Sequence, residues 1–159
     1  MKKYLFLTAF IFLYNCNSDD NNTINKFKNN KIEFEILMKG NILEPNEYNI
    51  PEFNPQYSII TDSQNWNTFN NLLTNFSNKD QEITNNNTPI DFNNYVVLKI
   101  FDEVKFAGLH SINVDSIIEQ EIDVKIYIKK VQIYDNAFPV TQPYNVIKFN
   151  KINKPITYY

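Results

Sequence analysis

The sequence predicts an α+β domain, a mostly antiparallel β-sheet packed by one early helix. Three observations predict it. Segments such as Ile122 to Lys129 alternate apolar and polar residues with a period of two, as half-buried strands do. One stretch, from Trp66 through Phe69 and Leu72 to Leu73, repeats its apolar residues at helical spacing. That stretch comes early, and strand-like segments then follow one another, the order expected of α+β rather than βαβ architecture.

The elements read as follows. Lys31 to Met38 places Ile32, Phe34, Ile36 and Met38 on one face and Glu33 and Glu35 on the other, a half-buried strand. Asn41 to Pro55 contains Pro45, Pro51 and Pro55 and reads as irregular. Tyr57 to Ile60 is a short strand. Asp62 or Ser63 then caps the helix, because a short polar side chain can accept from the free N–H groups of a first turn. The Trp66 stripe docks this helix on the sheet. Thr74 to Thr88 is a polar loop, and Asp91 after Pro89 organises the turn into the next strand. Tyr95 to Phe101 is a rich apolar run, the mark of a central strand. Leu109 to Ile118 and Ile122 to Lys129 form a hairpin joined at Glu119-Gln120-Glu121. Gln132 to Gln142 is a loop, and Tyr144 to Lys151 the closing strand, with Pro143 at its head where no ladder bond is lost.

Composition narrows the function classes. The 159 residues are 43% hydrophobic and 15% aromatic, enough to bury a core in one domain. Net charge is −3, and all 15 basic residues are Lys. The lack of Arg argues against nucleic-acid partners, whose phosphates and guanines are read best by a planar guanidinium. One His and one Cys make a metal centre improbable, two Gly residues make no phosphate loop, and no cofactor is expected. His110-Ser111 pairs a base with a nucleophile only in sequence, since neighbours on a strand face opposite ways; no catalytic residue is assigned. Asp91 and Asp115 are single carboxylates.

The N-terminal segment carries an address. Lys2 and Lys3 precede an apolar run from Leu5 to Leu13, too short to span a bilayer and of the length of a signal-peptide core. Leu13-Tyr14-Asn15-Cys16 resembles a bacterial lipobox, in which an apolar residue precedes by three a Cys that is lipidated after cleavage. The resemblance implies a signal peptide over 1–15 and lipid on Cys16, the membrane partner. Two or three acyl chains give stable anchoring. Ser18, Asp19 and Asp20 just beyond resemble a surface-export signal of Bacteroidetes lipoproteins, which implies display on the cell surface, with the periplasmic side of the outer membrane as the alternative. Residues 16–30 read as a flexible tether with a reach of roughly 20 Å. Cleavage removes two Lys and no acid, so the mature charge falls to −5. The lipid, not charge, must hold this chain at an anionic membrane.

From about Tyr57 the chain resembles the C-terminal domain of the PrcB family, lipoprotein subunits named after a surface protease complex. The likeness rests on Ser63-Gln64-Asn65-Trp66 with Phe69, Pro89-Ile90-Asp91-Phe92, Tyr95-Val96-Val97-Leu98, Gly108-Leu109-His110-Ser111-Ile112, and Thr141 to Lys148. Leu109 and His110 depart from a family Gly and Tyr. The resemblance implies a non-catalytic subunit that binds an envelope protease or another surface protein. It divides the chain into an N-terminal strand and Pro-containing segment over 31–56, the family-like domain over 57–152 and a C-terminal tail over 153–159. Tyr134, Phe138 and Tyr144 are the candidate partner contacts, with Tyr48 and Phe53 as a second group. The rival reading is a surface glycan- or small-ligand-binding lipoprotein with Trp66 as aromatic platform.

Overall fold

The computed structural model describes residues 27–43, 56–76, 82–83, 89–106, 108–133 and 140–159. The described residues form nine strands and one helix. They are β1 (Asn30–Ile32), β2 (Phe34–Leu43), β3 (Gln56–Ile60), α1 (Ser63–Phe76), β4 (Glu82–Ile83), β5 (Tyr95–Phe101), β6 (Leu109–Glu119), β7 (Val124–Ile133), β8 (Thr141–Asn150) and β9 (Ile156–Tyr158). The strands make two sheets, ordered β1-β6-β7-β9 and β3-β5-β8-β2-β4. All pairings are antiparallel except β7 with β9. The fold is α+β and dominated by antiparallel strands.

Three layers result: α1, the five-stranded sheet, then the four-stranded sheet. Alternation along β5 builds both interfaces. Val97 and Phe101 face α1 and pack with Trp66, Phe69, Leu73, Tyr144 and Val146. Val96, Leu98 and Ile100 face the other sheet and meet Ile112, Val114, Ile117 and Ile126. A strand covered on both sides has little use for polar alternation, so β5 is apolar except for Lys99, while β8 is buried almost throughout although it carries Thr141, Gln142 and Asn145.

Two bulges set which side chains enter which layer. In β2 the register shifts between Ile36 and Met38. The expected single face of Ile32, Phe34, Ile36 and Met38 therefore splits. Ile32, Phe34 and Ile36 join the inter-sheet core, whereas Leu37 and Met38 both pack under α1. In β6 the shift lies between Val114 and Ser116, so Val114 and Ile117 point inward together and Asp115 is exposed.

The local expectations fared differently. The Asn65 N–H donates to Asp62 Oδ1 (2.8 Å), so Asp62 is the helix cap. The Asn93 N–H donates to Asp91 Oδ1 (3.0 Å), fixing the turn before β5. These bonds hold both carboxyls below the usual Asp value. Asp62→Ala is expected to speed hydrogen exchange at the Asn65 amide while amides of β5 keep their protection, as read by NMR. Gly108 takes φ 79°, the left-handed conformation a glycine tolerates, and Leu109 is already the first residue of β6.

Other expectations need correction. Ile122 is 80% exposed in the β6–β7 turn, where the Gln120 N–H donates to the Asp123 C=O (2.8 Å), so the alternating face starts at Val124. Pro143 is inside β8, not at its head. Its C=O accepts from the Asp102 N–H (2.9 Å), so its missing N–H lies on that same side, past the last β5–β8 residue pair, Phe101 with Tyr144. Residues 153–159 are no tail, because Ile156–Tyr158 is β9, in register with Val124 to Ile126. The segment from 31 is not separate from the rest either: β2 lies beside β8 in the five-stranded sheet, and β1 edges the other.

Candidate functional site

Two features of the described surface bring chemistry together. The first is a groove of about 470 Å³ between β3 and α1. β3 is an edge strand: it pairs with β5 and has no neighbour on its other side among the described residues. Ser58 and Lys99 are in register across the β3–β5 pair and so share one face, the face toward α1. Lys99 Nζ sits over the Phe69 ring, 5.1 Å from its centroid. Thr68 and Leu72 from α1 and Gln56 from β3 complete the walls.

Lys99 is the unusual member. It interrupts the apolar run of β5, and burial pushes its ammonium below the ordinary lysine value. Among the described residues no carboxylate pairs with it. The Ser58 hydroxyl beside it is buried without a hydrogen-bond partner. A half-buried cation in a half-apolar groove, with an idle hydroxyl beneath it, suits a carboxylate held by a chain with apolar neighbours.

The second feature is a charged cavity of about 340 Å³ where β5 ends, lined by Asp102, Lys105, His110, Ser111, Lys130 and Gln132. Asp102 is only 4% exposed. Lys130 Nζ donates to its Oδ1 (2.6 Å), and Lys105 Nζ lies 3.6 Å from Oδ2. Burial pushes the Asp102 carboxyl up. The Lys130 bond, the Glu103 N–H and the two lysine charges outweigh that and hold it below the usual Asp value. The same bond raises Lys130. His110 and Ser111 both border the cavity, and the Ser111 Oγ accepts from Asn113 Nδ2 (3.3 Å), its neighbour on the same strand face. His110 is half-buried. Both oxygens of Asp102 are thus committed to lysines, and the arrangement reads as a structural clamp.

The residues singled out in the sequence divide sharply. Tyr144 is 1% exposed and stacks on Phe101 at 5.8 Å between centroids, so it is core and not a partner contact. Burial pushes its phenol well above the usual tyrosine value. The correction follows from β8 beginning at Thr141, which carries Tyr144 under α1. Trp66 is 6% exposed and packs with Phe69, which removes it as a glycan platform. Cys16, Ser18, Asp19, Asp20, Tyr134 and Phe138, with Tyr48 and Phe53, lie outside the described residues. Among the described residues no cluster of His, Cys, Asp or Glu could hold a metal ion, and no helix is long and apolar enough to cross a membrane.

The sequence reading missed the groove and the clamp. A lysine inside the run Val-Val-Leu-Lys-Ile-Phe was the available signal for the first. Asp102 and Lys130 are 28 residues apart and gave none. No family model matches the chain, and neither a curated protein nor a solved structure matches it.

Proposed function

We propose that this chain is a lipid-anchored protein of the outer membrane, shown on the cell surface, whose three-layer domain is a non-catalytic binding or assembly subunit for another envelope protein. The observation that carries the binding reading is the edge of β3 beside α1, which has no neighbouring strand among the described residues, with Lys99 half-buried and no carboxylate on it among those residues. Edge strands are places where a second chain can add, and most folds cover or charge them. The acids described above support the reading too. Asp62 and Asp91 cap backbone, and Asp102 clamps two lysines. The lipobox-like Leu13 to Cys16 and the acidic Ser18 to Asp20 support the address, and the resemblance to the PrcB family supports a protease complex as one such partner.

The test is isolation of the native protein from membranes in mild detergent, beside Cys16→Ser, with mass spectrometry of what comes with it. The expected result is a stoichiometric envelope protein with the lipidated form and none with Cys16→Ser, which also leaves the membrane fraction. A chain recovered alone in both cases would sink the subunit reading, and Cys16→Ser remaining fully in the membrane would sink the lipid anchor.

A further inference from the structure

We propose that the partner adds an extended segment to the edge of β3 that has no neighbour among the described residues, and places an acidic side chain of that segment on Lys99. The inference rests on the subunit reading and names the chemistry of its recognition site.

Three observations converge on it. First, β3 offers its outer N–H and C=O groups along five residues, Gln56 to Ile60, with no strand beyond them among the described residues. Second, the groove between that edge and α1 runs beside the strand, so side chains of an added strand have somewhere to go. Third, the one cation in the groove lacks a counter-charge among the described residues and is already partly stripped of water. An anion arriving there meets a charge whose desolvation cost is already partly met in the free protein.

The spacing also fits. Neighbouring strands lie about 4.8 Å apart, so an added strand would run roughly 10 Å from the β5 backbone at Lys99. Across that distance the intervening residue in register is Ser58, a small side chain. A lysine stem from one side and a glutamate from the other can meet above a serine, where a leucine or phenylalanine would block them. The Ser58 hydroxyl, buried and unpartnered, can donate to the same carboxylate. Apolar residues two positions to either side of the acid would share its face and lie against Leu72 and Phe69, which line the α1 wall.

A second copy of this chain is a poorer occupant. Pairing β3 with β3 would bring the same cation from both sides and supply no carboxylate from the strand, which contains only Gln, Tyr, Ser and Ile.

The experiment uses the full chain in detergent and a panel of synthetic peptides. Each peptide alternates Val and Thr, with one Glu moved through the positions in turn and a matching Gln series. Amide NMR reads the site, and titration reads affinity. The expected result is that at least one Glu register shifts the amides of β3 and slows their exchange. Its Gln counterpart should bind at least tenfold more weakly. Lys99→Met should erase the Glu preference while the protein melts no lower than the parent. Three results would overturn the proposal. One is a whole panel that fails to bind. Another is equal binding of Glu and Gln series. The third is protection of β3 amides by self-association without any peptide. Failure here is separable from failure of the subunit reading. If Lys99→Met still brings down the native partner from membranes, the protein is a subunit that binds elsewhere.

Discussion

Phe101→Ala is expected to destabilise the domain by about 4 kcal/mol, the range of a large aromatic removed from a core. Phe101 is fully buried at the end of β5. Its ring stacks on Tyr144 at 5.8 Å and meets Phe69 edge-on at 6.1 Å, so it joins β8 to α1. Truncation leaves a cavity that neither neighbour can fill. Tyr144 is fixed by β8 pairing on both sides, and Phe69 by the helix. Domains of this size have about 5–15 kcal/mol of net stability, so the variant stands near the limit of folding. Urea unfolding followed by Trp66 fluorescence checks it, because Trp66 is buried in the same cluster. Phe101→Leu should recover more than half of the loss. If Phe101→Ala unfolds at the parent midpoint, the description of this core is wrong.

Lys130→Met is the second. Removing the amine leaves Asp102 buried with Lys105 at 3.6 Å as its remaining cation. Breaking a fully buried pair costs about 3–5 kcal/mol. Half of the Lys130 side chain is in water, so about 2 kcal/mol is expected here. The double variant Lys130→Met with Asp102→Asn should be more stable than Lys130→Met alone, since the stranded charge is then gone. Acid titration gives an independent reading. The folded Asp102 value lies below the unfolded one, near 3.9, so its contribution is present above that value and fades as pH falls through the folded value. The parent should lose more stability between about pH 5 and pH 2 than the double variant does. Equal acid sensitivity of the two would mean that the pair contributes nothing.

What could be read from the sequence follows the range of the forces involved. Tyr95 to Phe101 was legible to the residue because burial on both faces is written into consecutive side chains. The caps at Asp62 and Asp91 were legible because each acts on residues two or three positions away. Trp66 was legible as core from its helical spacing. The β2 bulge was not, as Ile36, Leu37 and Met38 are all apolar and either face would accept them. Ile122 fitted the alternating pattern and still lies in the turn, because turn length, not hydrophobicity, decides where a hairpin begins. Tyr144 stood at the start of the closing strand, where a ring can still face a partner; β8 beginning three residues earlier, at Thr141, carries it into the core. β9 is three residues long, and its existence depends on β7 offering an edge. The Lys99 groove and the Asp102 clamp depend on strand register and on contacts between distant segments, which a linear reading does not carry.

The strand order has a consequence for synthesis. β8 is the middle strand of its sheet, and it separates β5 from β2. Both wait for it, although β2 precedes it by about a hundred residues of chain. A chain emerging N-terminus first therefore cannot zip the five-stranded sheet until Thr141 to Asn150 is out. Until then β5 has only β3 and α1 to cover it, and its β8 edge and the face toward the other sheet stay open. Such late, non-local closure makes folding slow. It also means that truncation before Thr141 removes the strand on which both halves of the five-stranded sheet close.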